Sequence, residues 1–314
     1  MKKGIVIKST GSWYTVKTTE GKLLDCRIKG NLRLKEIRST NPIAVGDQVE
    51  LTESKDDDTL GDLSIGLIHK ILPRNNYIIR KSPNLSKESH IIAANIDQAF
   101  LIVTVNFPVT TTTFIDRFLV SAEAYRIPCH LIFNKIDLYN EEQTNTMNSL
   151  IDIYQKIGYQ CLKISAKNNI GINELREMMA NKTNVFSGHS GVGKSTIINL
   201  IHPTVNLKTA EISGSHFSGK HTTTHSEMHE LDFGGFIIDT PGIKGFGVLE
   251  MEKEEISHYF PEIFKLLDEC QYYNCTHTHE PLCAVKKSVE KGEIAFSRYS
   301  SYLGLLDNEE KYRN

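Results

Sequence analysis

A small N-terminal β-barrel, a central α/β domain and a C-terminal helical, metal-binding module make up the multidomain fold class that this sequence predicts. Three observations predict it. Residues 1 to about 75 read as short strands between turn signals, the middle of the chain alternates apolar runs with amphipathic stretches, and three cysteines crowd around histidines near the C-terminal end. A length of 314 residues makes room for two or three domains.

The predicted barrel strands are Gly4–Lys8, Trp13–Lys17, Leu23–Ile28, Gln48–Thr52 and Leu67–Leu72, with turns at Thr10-Gly11, Glu20-Gly21 and Val45-Gly46-Asp47. Five strands in so short a module close most economically as an OB-fold spanning 1–75, and such barrels often hold oligonucleotides on one face. Arg27, Lys29, Arg33, Lys35 and Arg38 form a basic stretch, and Trp13 and Tyr14 are expected to be exposed. Stacking aromatics beside a positive groove favour RNA over a purely structural barrel. A basic run alone would be as compatible with a plain solvated face.

A linker is expected over 76–92 and an α/β domain over 93–247. Ala99–Val105, Cys129–Phe133, Cys161–Ser165, Asn184–Ser187 and Phe236–Asp239 are continuous apolar runs, as strands buried in a mostly parallel sheet should be. Helices are expected at about 113–126, 141–157, 172–180 and 193–202. In the remaining 248–314, a stripe from Ile256 to Leu267 reads as one helix and Ser288–Leu306 as a second.

Composition narrows the function classes. With 39% apolar and 24% charged residues and a net charge of −2, the chain is an ordinary globular one, so any RNA contact must come from local patches. There is no stretch of about eighteen apolar residues, no cleavable leader pattern and no lipidation signal, so a cytoplasmic protein without a membrane role is expected. Cys26, Cys129 and Cys161 stand alone in apolar strands and are expected to be packing residues.

The chemistry sits in four motifs. Gly188-His189-Ser190-Gly191-Val192-Gly193-Lys194-Ser195 fits GxxxxGK[ST], followed by Thr196, after a predicted strand and at the start of a predicted helix. Glycines there let backbone N–H groups wrap phosphates; Lys194 reaches the β- and γ-phosphates and the Ser195 hydroxyl coordinates Mg²⁺. Asn134-Lys135-Ile136-Asp137 supplies base choice. The Asp137 carboxylate can accept both N1–H and the exocyclic amine of guanine, and adenine offers no such donors. Asn134 is expected to hold neighbouring loops and the Lys135 stem to lie over the base. Ser165-Ala166-Lys167 follows one helix and one strand later and would offer the Ala166 N–H to the guanine oxygen. Asp239-Thr240-Pro241-Gly242 ends the last apolar strand, placing Asp239 for the outer Mg²⁺ shell and the Gly242 N–H for the γ-phosphate.

Between the phosphate loop and Asp239, the segment Gly219-Lys-His-Thr-Thr-Thr-His reads as a switch in which one of Thr222, Thr223 or Thr224 completes the Mg²⁺ shell, Thr223 being the choice. The glutamine that orients the attacking water in many GTPases is replaced by Ile243, so slow unaided turnover is expected, with His221 or His225 supplying the group when a partner orders the segment. A solvent-facing loop histidine is an equal alternative.

Cys270, Cys275, His277 and Cys283 read as CxxxxCxHxxxxxC, a set suited to one closed, structural, tetrahedral Zn²⁺ site. His279 competes with His277, and spacing separates the two poorly.

The order of these motifs is itself informative, because the base readers precede the phosphate loop. Together with the barrel, GSWYTV near the N-terminus, GHSGVGKST, GKHTTT, DTPG and CQYYNCTHTHEPLC, that permuted order resembles the ribosome small subunit dependent GTPase family called RsgA or YjeQ, across essentially the whole chain. The resemblance implies a circularly permuted GTPase that binds the small ribosomal subunit and its rRNA late in assembly, and hydrolyses GTP to GDP under its stimulation. It further implies maturation partners released, Asn134–Asp137 and Gly188–Thr196 as nucleotide-binding residues, and Cys270, Cys275, His277 and Cys283 as zinc ligands. A monomer is expected. An RNA chaperone or translation regulator in which nucleotide only sets conformation is the alternative. Because DTPG comes last, Ile243–Val248 alone would join it to the metal module, so loss of the γ-phosphate is expected to be felt there.

Overall fold

The computed structural model describes residues 1–28, 42–55, 64–81, 89–203, 226–239 and 251–312. The chain divides into two compact units: Met1–Ala99 with Glu174–Phe186 and Ile198–Gly247, and Phe100–Asn173 with Ser187–Ile197 and Val248–Asn314.

In the first unit, β1 (Lys2–Ser9), β2 (Tyr14–Thr18), β3 (Leu23–Ile28), β4 (Gln48–Lys55) and β5 (Ser64–Ile71) pair in the order β1-β2-β3-β5-β4, and β4 returns to β1. The sheet is therefore closed. β3 and β5 run parallel and the other barrel pairs antiparallel, the five-stranded arrangement of an OB-fold. Its core is Val6, Tyr14, Val16, Leu24, Cys26, Ile43, Val49, Leu51 and Ile68. Tyr14 corrects an expectation: it is 1% exposed and its hydroxyl donates to the Gly11 carbonyl at 3.2 Å. Neighbouring side chains on a strand face opposite ways, so Trp13 and Tyr14 cannot share the outer surface. Trp13 stays half-buried, with the Arg27 guanidinium over its ring at 4.0 Å. Lys29, Arg33, Lys35 and Arg38 lie outside the described residues.

Where the sequence suggested a linker, β6 (Tyr77–Lys81) and β7 (Ser89–Ala94) form a two-stranded antiparallel sheet. Asn75-Asn76 and Ser82-Pro83-Asn84 read as turns on either side of a short run, which hides the hairpin. Asp47, fully buried, accepts two hydrogen bonds from Arg74 at 2.6 Å and ties the barrel to this exit.

The same unit holds β11 (Thr183–Gly188) as far as Phe186, β12 (Glu227–Glu230) and β13 (Phe236–Asp239). β11 and β13 are parallel, whereas β12 runs antiparallel to β13 and also pairs with barrel strand β1 through Lys8 and Glu227. The barrel and this part of the α/β sheet are thus one hydrogen-bonded surface. Lys8–Glu227 and Lys17–Glu230 ion pairs flank the junction. Such exposed pairs are worth at most about 1 kcal/mol each, so strand pairing carries the join.

In the second unit, β8 (Gln98–Val103), β9 (Cys129–Phe133) and β10 (Gln160–Lys163) lie in the order β10-β9-β8. α1 (Thr112–Ala124) starts at Thr111, whose side chain accepts the Phe114 N–H. α2 (Glu141–Ile157) starts at a capping box of Asn140 and Gln143. α3 (Ile172–Met179), which belongs to the first unit from Glu174 on, and α4 (Lys194–Ile201), which belongs to the second as far as Ile197, match the expected spans. Cys26 and Cys129 are buried as expected, while Cys161 is only half-buried.

The C-terminal helices are shorter than their apolar stripes suggested. The first stripe breaks into α5 (Lys253–Ile256) and α6 (Pro261–Phe264) with single 3-10 turns, because Pro261 forces extended backbone on Phe260 and starts a new helix. The expected Ser288–Leu306 helix is two, α7 (Ala284–Glu290) and α8 (Phe296–Tyr312), divided at Gly292, whose φ of 72° only glycine adopts freely. Ile256, Phe260, Ile263, Val285, Tyr302 and Leu306 share a core with Val120 of α1. Arg298 of α8, fully buried, donates to Asp116 of α1 at 2.8 Å and to Glu262 of α6 at 2.7 Å; Tyr154 of α2 donates to the same Asp116 oxygen. Burial disfavours the guanidinium charge, but Asp116 and Glu262 outweigh that and raise its pKa further. Among the described residues, no helix is long and apolar enough to cross a membrane.

Candidate functional site

The phosphate loop runs from the end of β11 to the first turn of α4, so the backbone N–H groups of a helix start are aimed out of the loop. Gly188, Gly191 and Gly193 have φ of 151°, 84° and 97°. At Gly193 the constraint is doubly strict, since a Cβ would come within 2.4 Å of Asn134 Nδ2. Glycine is required there by both backbone angle and a neighbour.

That neighbour joins the two halves of the site. Asn134, 1% exposed, donates from Nδ2 to the Val192 carbonyl at 2.8 Å, and its Oδ1 accepts the Ala166 N–H at 3.1 Å. One side chain therefore ties the Asn134–Asp137 loop to the phosphate loop and the Ser165–Lys167 loop. Asp137 is the middle residue of the short 3-10 turn Ile136–Leu138, and one of its oxygens accepts the Ser165 hydroxyl at 2.5 Å. Ser165 in turn accepts the Asn168 N–H at 3.1 Å. These two hydrogen bonds restrict the orientation of the Asp137 carboxylate. Lys135 sits in left-handed backbone (φ 66°), and its ammonium donates to the Phe107 carbonyl. Partial burial lowers its pKa, while nearby Asp137 opposes the shift.

Two supports were not legible as motif residues. Tyr139 donates to the Asn134 carbonyl at 2.6 Å and accepts the Val105 N–H at 2.9 Å, pinning the Asn134–Asp137 loop to the segment just after β8. Phe114 of α1 stacks on His189 of the phosphate loop, centroids 3.7 Å apart. The only sequence signal for Tyr139 is an aromatic residue two positions after Asp137.

Lys194, Ser195 and Thr196 form the first turn of α4, half-buried, and Lys167 is exposed in its loop. Asp239 is the last residue of β13. His221, Thr222, Thr223, Thr224 and His225, and likewise Thr240, Pro241, Gly242, Ile243 and the segment to Val248, lie outside the described residues.

The second cluster is compact. Ligand-type atoms of Cys270, Cys275, His277 and Cys283 all lie within 4.8 Å of one another. His277 Nδ1 is 3.6 Å from Cys270 Sγ and 3.4 Å from Cys283 Sγ, and those sulfurs are 4.0 Å apart. A tetrahedral ion with metal–sulfur bonds of about 2.3 Å and a metal–nitrogen bond of about 2.0 Å would separate its ligands by about 3.5–3.8 Å. The residues fit such an ion. His277 is 0% exposed, its backbone is left-handed (φ 58°), and the hydroxyl of Tyr299 holds its carbonyl at 2.6 Å; Tyr302 holds that of Thr276 at 2.8 Å. His279 is exposed and turned to Thr278. Burial pushes the Cys275 thiol up to about 12 and lowers the His277 pKa, so metal binding must supply the energy of thiol deprotonation.

A family model described as RsgA GTPase matches residues 71–249, and one described as RsgA N-terminal domain matches 3–61. The chain belongs to the RsgA GTPase family. A curated relative from Bacteroides thetaiotaomicron, "Small ribosomal subunit biogenesis GTPase RsgA 2", is 57% identical over 99% of both chains. Another from Phocaeicola vulgatus, "Small ribosomal subunit biogenesis GTPase RsgA", is 58% identical over 99% of both. Among solved structures, YjeQ from Thermotoga maritima is 36% identical, covering 98% of both chains with a TM-score of 0.78. YloQ, described as a circularly permuted GTPase, is 29% identical, covers 99% of this chain and 95% of its own, and has a TM-score of 0.77. The permuted GTPase fold expected from motif order is therefore the fold of the chain.

Proposed function

We propose that this chain acts in biogenesis of the small ribosomal subunit, binding the subunit and its rRNA and hydrolysing GTP to GDP and phosphate under its stimulation. Membership of the RsgA GTPase family makes it a GTP-hydrolysing enzyme. The observation that carries the reading is Asn134, which gathers a glycine-bearing phosphate loop and a preset guanine-reading carboxylate into one site. Relatives more than half identical over the full chain are named for small-subunit biogenesis.

In this reading the loop Gly188–Thr196 cradles the phosphates, Lys194 carries positive charge to them, and Ser195 and Thr223 hold Mg²⁺ with Asp239 behind it. Gly242 senses the γ-phosphate, and with Ile243 in place of glutamine, His221 orients the attacking water once the subunit orders its segment. Asp137 selects guanine. Cys270, Cys275, His277 and Cys283 hold one structural Zn²⁺ that shapes an RNA-facing module, and the OB-fold is the other RNA-facing arm. The protein works as a cytoplasmic monomer. Loss of the γ-phosphate reaches the metal module through Ile243–Val248, with α1 and the Arg298 network as a second route. A chaperone whose nucleotide merely sets conformation is not favoured. Lys194→Ala tests the choice: full support of subunit maturation by that variant would defeat the GTPase reading.

A further inference from the structure

The segment Thr104–Thr110, between β8 and α1, belongs to none of the nucleotide motifs, yet it is built into their site. Its start is held by the Val105 N–H to Tyr139 and the Thr110 N–H to the Thr104 carbonyl at 2.8 Å, and its turn by the Thr104 hydroxyl to the Pro108 carbonyl. Its middle carbonyl, that of Phe107, accepts the ammonium of Lys135, whose stem lies over the base in the reading above. Pro108 borders the phosphate loop, 3.6 Å from where a Cβ on Gly191 would stand. The segment therefore touches both the base-reading loop and the phosphate loop.

At its tip is Phe107, with φ of 57° and 57% of its surface exposed. Left-handed backbone is costly for an aromatic residue, and an exposed phenyl adds a second cost in water. Local hydrogen bonds hold the backbone of the segment in place. Such strain is characteristic of positions whose conformation serves a ligand.

We propose that Phe107 is a binding residue for guanine nucleotides, its ring packing against the nucleoside where the sugar meets the purine and closing the side of the pocket that Lys135 leaves open. This rests on the guanine-nucleotide reading above. The contact is to the nucleoside, so GDP and GTP share it. The base edge is read by Asp137, so the choice among purines does not depend on Phe107.

The test is calorimetric titration of the full-length zinc-loaded protein with GDP, GTP and inosine diphosphate. Phe107→Ala should weaken GDP and GTP equally, by about 5- to 30-fold, as expected for loss of a partly buried aromatic contact. It should leave the GDP to inosine diphosphate ratio and the melting temperature without nucleotide unchanged, and Phe107→Tyr should restore affinity. Unchanged GDP affinity in Phe107→Ala overturns the proposal, as does a loss accompanied by lowered nucleotide-free stability or not restored by tyrosine. Failure of the wild-type protein to bind GDP would instead defeat the underlying reading.

Discussion

Replacing Asn134 by alanine removes a side chain that joins the phosphate loop to the Ser165–Lys167 loop. The substitution leaves the Val192 carbonyl and the Ala166 N–H without the partners they have at 2.8 and 3.1 Å. A buried backbone group so orphaned costs about 1–3 kcal/mol. Water can reach part of the site once the amide is gone, so the lower end applies to each, roughly 2 kcal/mol in all; the free protein escapes this cost by letting the loops part and hydrate, and nucleotide binding must draw them back, a loss of about 30-fold in affinity. Titration of GDP against wild type and Asn134→Ala measures this directly. Asn134→Asp should be no better: it keeps an acceptor for Ala166 but sets an oxygen against the Val192 carbonyl. An Asn134→Ala protein that binds GDP within twofold of wild type would refute the reasoning, because the two loops would then hold their places unaided.

Further outcomes are expected elsewhere. Arg298→Met strands Asp116 as a buried charge and should destabilise the α1–α8 contact by about 3–5 kcal/mol. Hydrogen exchange in 251–312 should differ between GDP and a GTP analogue in wild type and lose part of that difference in the variant; no difference in wild type would sink the coupling. Zinc analysis should find one ion per chain, kept in His279→Ala and lost in His277→Ala, the reverse pattern reassigning the ligand. His221→Ala should leave GTP affinity intact while abolishing subunit-stimulated hydrolysis, and undiminished stimulation would exclude that residue.

Residues whose role is set by backbone chemistry were the most legible. Glycines of the phosphate loop, apolar runs such as Gln98–Val103 and the turn-divided barrel strands announce themselves because local sterics and burial admit few alternatives. What was illegible depends on partners distant in the chain. Tyr14 read as an outer aromatic because only pairing shows which face a strand buries. Arg298 carries no signal in its own helix, since its partners lie 182 and 36 residues away. The pairing of β12 with the barrel was equally hidden, as a four-residue strand of mixed polarity looks like loop. The C-terminal apolar stripes overstate helix length because backbone constraint at Pro261 and Gly292 prevails over periodicity.

The measurement that bears most directly on the whole account is steady-state GTP hydrolysis by the purified protein, alone and with purified small ribosomal subunits. Slow turnover alone and a steep rise with the subunit, absent in Lys194→Ala, is the predicted result. A rate that the subunit leaves unchanged would contradict it.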